Sequence, residues 1–183
     1  MSASPAANRS LTHEPDRFSD AVWELLLSSQ DVARRWRHEQ LDVEHLVQVL
    51  FTAPSCQRLI DGLPMSADAL LDRLEDVLAE QPSARGEDLF IGEDLECLLE
   101  SADAVRRRWG EALIDVPEIL MAVGADPRVG ADLFAALGLS ADRLEPMLKP
   151  ERSSPPTAAS QPPPSQPPPS QTRQSQPSTQ PQQ

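Results

Sequence analysis

The chain has 183 residues, a formal charge of −13, 19 prolines, two cysteines and no tyrosine. Lys149, Arg152 and Arg173 against Glu151 put residues 149–183 at +2, which leaves −15 on residues 1–148. So acidic a body repels phosphate backbones and argues against nucleic acid as a partner. There is no run of about eighteen apolar residues and no signal-type hydrophobic stretch at the N-terminus, so no membrane contact is expected and the expected location is cytoplasmic.

Residues 1–15 mix Ser, Ala, Pro and Asn without period and are expected to form a disordered arm. Ser19 is a good N-cap for a helix running to about Arg37, with Asp20 and Glu24 near its positive end. Val22, Leu25, Leu26, Ser29, Val32 and Trp36 form one face of it. Asp42 caps a second helix with Val43, Leu46, Val47 and Leu50 inward, ended by Pro54. A short helix carrying Leu59, Ile60 and Leu63 follows, and then one capped by Ser66 with Leu70, Leu71, Leu74, Val77 and Leu78 inward. Residues 82–90 are a polar bridge that ends in Leu89 and Phe90.

The series then returns. Leu95, Leu98, Leu99, Ala102, Val105 and Trp109 match the first helix face at a constant offset of 73 residues. Gly110 is a helix stop, and Asp115 with Glu118 forms a capping box. Val116, Ile119, Leu120 and Val123 repeat the second helix, Leu133, Phe134 and Leu137 the third, and the segment from Leu139 to Leu144 the start of the fourth. The expected fold is all-α: eight helices as two pseudo-twofold four-helix repeats, 16–81 and 91–148, within a domain spanning 16–148. Eleven prolines follow Lys149, so residues 149–183 are expected to be a disordered Pro/Gln/Ser-rich tail, acting as a solvated tether or as a ligand for a groove-binding domain.

Chemistry is mostly excluded. With Lys149 as the single lysine, no phosphate-binding loop of the Gly-x-x-x-x-Gly-Lys kind exists in this sequence, so no nucleotide site is expected. His13, His38 and His45 lack metal-ligand spacing; His38 and His45 meet only if the loop between them folds back. His45 reads as a partly buried residue that holds this loop. Cys56 and Cys97 are too far apart for a metal motif, and Cys97 reads as a small packed thiol beside Leu98. Arg34, Arg35, Arg37 and Arg106, Arg107, Arg108 fall in the last turns of the repeated helix, where cations complement the helix dipole. No carboxylate pair sits in an apolar pocket legible from sequence. No catalytic residue, metal or cofactor is expected, and the chain reads as a non-enzyme.

Several stretches resemble a known family: Phe18 to Leu26, Leu41-Asp-Val-Glu-His-Leu-Val47, Glu80-Gln-Pro82, Trp109-Gly-Glu111, and Asp126-Pro-Arg-Val-Gly-Ala-Asp-Leu-Phe134. They are similar, in order and with the duplication, to the N-terminal repeat domain of Clp-type AAA+ unfoldases and disaggregases of the ClpB and ClpC type. In the second repeat Pro117-Glu-Ile119 stands where Glu44-His-Leu46 stands in the first. The resemblance implies binding of unfolded or aggregated polypeptide, or of a Clp-type AAA+ ATPase as partner. It also implies a groove at Ser19, Glu111 and Pro117, with Pro117 removing a polar side chain usual there. Trp23, Leu89 and Phe90 lie off the inward stripes and either line an apolar groove or seal the contact between the repeats. The expected function is that of a stand-alone N-terminal domain acting as a monomeric chaperone accessory or adaptor. Two alternatives are a sequestering protein for small ligands or signals and a scaffold working through its tail.

Overall fold

The computed structural model describes residues 11–83 and 88–149. The arm before Leu11, the centre of the bridge at 84–87 and the Pro-rich tail from 150 lie outside these residues.

The described residues contain eight helices in two sets of four. In the first repeat these are α1 (Asp20–Trp36), α2 (Val43–Thr52), α3 (Gln57–Asp61) and α4 (Ala67–Ala79). The second has α5 (Glu93–Trp109), α6 (Val116–Ala125), α7 (Gly130–Ala136) and α8 (Ala141–Leu148). Local chemistry sets the boundaries. The Ser19 hydroxyl accepts from the Val22 amide at 3.3 Å and that of Ser66 from Ala69 at 3.2 Å, each satisfying a donor that the helix start leaves open. α5 stops at Gly110 with φ 78°, a left-handed turn that glycine adopts without strain. Its counterpart after α1 is Arg37 with φ 60°, the one non-glycine residue of positive φ among the described residues.

Two very short strands join the repeats. β1 (Gln40–Leu41) pairs in parallel with β2 (Phe90–Ile91), and an isolated parallel bridge links Phe18 to Ile114. Ile91 is Phe18 shifted by 73 residues, and Ile114 is Leu41 shifted by the same number, so the two pairings are one contact made twice. The Ser19 amide donates to Ile114 O at 2.9 Å, and the Gly92 amide to Leu41 O at 2.8 Å. The helical period of the sequence carries no sign of these pairs, because two residues are too few to show alternation.

α1 packs on α2 and α5 on α6, while α2 and α6 form the centre. α2 buries eight of its ten residues, including Glu44 and His45, as expected of a helix surrounded by others. α4 meets α7, and the rings of Phe51 and Phe134 lie 6.3 Å apart between the repeats.

Four expectations need correction. Cys97 is exposed and Cys56 is the buried thiol, because position 97 faces outward from α5 whereas Cys56 closes the turn into α3. The described end of the arm is ordered: Leu11–His13 and Pro15–Arg17 are 3-10 turns, and Leu11 packs against the core. Trp109 is 2% exposed and its indole N–H donates to Glu145 at 3.0 Å, but Trp36 is only half-buried, donating to Gln48 at 3.3 Å. His45 is fully rather than partly buried.

Arg106, Arg107 and Arg108 in the last turn of α5 are held by carboxylates and a carbonyl near the helix end. Arg106 donates to Asp103 at 2.8 Å and to the Glu111 carbonyl at 2.9 Å, Arg107 pairs with Asp103 at 3.2 Å and Arg108 with Glu145 at 3.1 Å.

Candidate functional site: a groove between the starts of α1 and α6

Ser19, Glu111 and Pro117 come together. With Ala112, Leu113, Asp115 and Glu118 they line an open groove of about 330 Å3. Ser19 reaches it as the N-cap of α1, and its hydroxyl donates to Asp115 Oδ1 at 2.7 Å across 96 residues of chain. Asp115 is the N-cap of α6; its carboxylate accepts from the Val116 amide at 2.8 Å, while its own amide donates to Glu118 Oε2 at 2.9 Å. Burial raises the Glu118 carboxyl above its usual range, against the lowering pull of the Asp115 amide and its own. Leu113, 42% exposed, and Pro117 add apolar wall. The result is an apolar trough with a carboxylate rim.

Trp23, Leu89 and Phe90 do not line this groove. Trp23 lies half-buried with its ring 5.9 Å from that of Phe18, beside the Phe18–Ile114 bridge. Leu89 is half-buried against the core, which fits the sealing role, whereas Phe90 is 56% exposed on β2 and seals nothing.

The corresponding place in the first repeat is built differently. Shifting by 73 residues turns Asp115 into Asp42, Pro117 into Glu44, Glu118 into His45, Glu111 into His38 and Ser19 into Gly92. Asp42 caps α2 as Asp115 caps α6, and the Asp42 amide donates to His45 Nδ1 at 3.0 Å in the manner of Asp115 to Glu118. A Cβ at Gly92 would stand 2.4 Å from the Asp42 carboxylate, so a side chain there would have to shift Asp42 from its present place. Glu44 is fully buried, accepting from Gln81 Nε2 and Arg128 Nη2. Arg128 also lies 2.6 Å from Asp94 and 3.5 Å from Asp42, so one guanidinium from the second repeat gathers three carboxylates of the α2 and α5 starts.

His38 and His45 do meet, with Nδ1 of the former 2.8 Å from Nε2 of the latter. Since His45 Nδ1 accepts from Asp42, its proton sits on Nε2 and is donated to His38. Burial pushes His45 down to about 4, against the raising effect of nearby Glu44, and also lowers His38. A residual hollow of about 250 Å3 remains beside them, lined by His38, Glu39, Gln40, Gln81, Pro82 and Ser83.

Sequence reasoning missed the Glu44–Arg128 clamp. Its one trace is the mismatch of Glu44 with Pro117 inside an otherwise faithful repeat; nothing in the spacing links residues 84 apart. Among the described residues no group of three or more His, Cys, Asp or Glu is arranged to hold a metal ion, and no helix is long and apolar enough to cross a membrane.

A family model described as the Clp repeat (R) N-terminal domain matches residues 17–137. The chaperone protein ClpB 2 of Parasynechococcus marenigrum (strain WH8102) is 66% identical over 155 residues, which is 85% of this chain and 17% of that protein. ClpB 2 of Thermosynechococcus vestitus (strain NIES-2133 / IAM M-273 / BP-1) is 31% identical over 143 residues, 77% of this chain and 16% of that protein. The chain therefore spans about a sixth of the length of these relatives. Among solved structures, the Hsp104 N-terminal domain from Candida albicans superposes with a TM-score of 0.62 at 16% identity, covering 72% of this chain and 88% of that one. The N-domain of ClpV from Vibrio cholerae gives 0.66 at 14% identity, covering 81% and 95%. At such identities the likeness concerns the fold.

Proposed function

Because the chain belongs to the Clp repeat (R) N-terminal domain family, we propose that it binds polypeptide segments, from unfolded clients or from a Clp-type chaperone partner, in the groove between the starts of α1 and α6. The reading rests on one observation: the repeat makes this place twice, and the second copy has an apolar wall on view where in the first Arg128 and Gln81 bond the buried Glu44. An open trough with Leu113 42% exposed loses water-facing apolar area when a side chain enters it. Backbone hydrogen bonds at the Phe18–Ile114 bridge, from the Ser19 amide to Ile114 O and from the Ile114 amide to Arg17 O, tie its two walls together. Such a module acts as a chaperone accessory or adaptor, holding chain for a ring ATPase of the ClpB kind.

Fluorescence anisotropy of a labelled, permanently unfolded model protein, titrated with the full chain, tests this. Saturable binding that Leu113→Asp weakens while the circular dichroism spectrum stays unchanged is the expected result. No binding, or binding indifferent to Leu113→Asp, refutes it.

A further inference from the structure

We propose that the open edge of β2 takes up an extended strand from a partner protein, one that sets an aromatic ring beside Ile91. This site is separate from the groove between α1 and α6 and stands or falls without it.

The backbone supplies the first observation. The amides of Phe90 and Gly92 donate to Glu39 O at 2.9 Å and to Leu41 O at 2.8 Å, so both face β1. Hydrogen-bonding groups alternate in direction along a paired strand, which turns the N–H and C=O of Ile91 away from β1. β2 has no strand on that side, and among the described residues no hydrogen bond reaches either group. In the other copy of the pairing the equivalent donor is used. The Phe18 amide bonds Pro15 O at 3.1 Å, whereas Ile91 makes no such bond to Asp88, the residue that stands 73 positions after Pro15.

The side chains supply the second. Successive strand residues face opposite ways, and Phe90 and Ile91 are 56% and 42% exposed, so both faces of β2 are bare. Their counterparts are Arg17 and Phe18. Phe18 is 4% exposed with the Trp23 ring 5.9 Å from its own, and the residue matching Trp23 beside Ile91 is Glu96. One copy thus carries an aromatic neighbour from its own chain, and the other has a carboxylate in that place.

Charge decides between a second copy of this chain and a different protein. Glu39, Asp88 and Glu93 flank the edge along the chain or across the ladder; all are exposed, and none enters an ion pair among the described residues. Two copies joined edge to edge would set these carboxylates against each other. A strand with lysine or arginine on either side of its aromatic residue meets them favourably, and its residue opposite Ile91 exchanges two backbone bonds.

Anisotropy of a short labelled peptide, one tryptophan set among alternating threonine and lysine, titrated into the full chain tests the edge. Saturable binding is expected, about ten-fold weaker with alanine for the tryptophan and lost when the peptide backbone is N-methylated. Ile91→Pro, which removes the outward donor and spares the amides that bond β1, is expected to weaken binding by a similar factor, and Leu113→Asp to leave it unchanged. The N-methylated peptide keeps the test decisive should Ile91→Pro fail to fold. No binding, binding indifferent to N-methylation, or a loss in Leu113→Asp that matches the loss in Ile91→Pro overturns the proposal.

Discussion

His38 Nδ1 and His45 Nε2 lie 2.8 Å apart in the interior, in a contact that requires both rings to be neutral. Charging His45 places a proton on Nδ1, where the Asp42 amide already points its own hydrogen at 3.0 Å. The relationship makes folding sensitive to mild acid.

With His45 held at about 4 in the fold and free to charge near 6.5 in the unfolded chain, the unfolded state binds more protons between those two values. Stability is full above pH 6.5 and falls as pH drops toward 4, by up to about 1.4 kcal/mol per pH unit for one such group. His38, lowered as well, acts in the same direction, while Asp42 and Glu118, both raised by burial, act against it at lower pH. Urea unfolding at pH 7.5 and 5.0 measures the slope, and His45→Gln is expected to flatten it while lowering stability at both.

Arg128→Ala leaves Glu44 fully buried without its cation. Breaking a buried pair from one side costs roughly 3 to 5 kcal/mol, and since the arginine side chain is 35% exposed the lower figure is expected. Adding Glu44→Gln removes the stranded charge and should restore part of the loss. A double-mutant cycle by chemical denaturation gives the coupling, and full additivity of the two changes would show that the clamp carries no energy.

Ser19→Ala deletes both the cap to Val22 and the hydroxyl bond to Asp115. The expected loss is about 1 kcal/mol, at the middle of the cap range because the Asp115 bond is exposed. Ser66→Ala, which removes a cap alone, is the comparison; a larger loss at Ser19 in thermal melts is the signature of the cross-repeat bond.

Gly130 is a tighter site than Gly62, Gly92, Gly124 or Gly138. A Cβ there would stand 1.8 Å from the Val123 carbonyl oxygen, backbone that α6 holds in place. Gly130→Ala is expected to cost about 3 kcal/mol or more, a fall of roughly 10 °C in Tm for a domain of this size. Gly62→Ala, whose nearest contact is 3.4 Å, should melt within about two degrees of the parent.

Much of the helical architecture was legible in the residues. The apolar period of α1 and α5, the Ser19, Asp42, Ser66 and Asp115 caps and the Gly110 stop are all local signals, and each stands where the sequence places it. The inward set was less exact. Leu71, Val77 and Trp36 share the helical period yet stay half-buried, because period places a residue on a face while neighbouring elements decide how far that face is covered. Cys97 faces outward for the same reason: one position off the stripe is a turn of about 100° away from the core.

The groove was legible only through likeness to a family, since Ser19, Glu111 and Pro117 are near in space through a bridge of two residues that leaves no periodic trace. That the chain is a doubled four-helix unit follows from spacing and capping, which act within a few residues along the chain. How the two copies of the groove differ depended on tertiary structure: Arg128 crosses from one repeat to neutralise Glu44 in the other. A buried carboxylate takes whatever cation the fold brings near it, and sequence separation sets no limit on that distance.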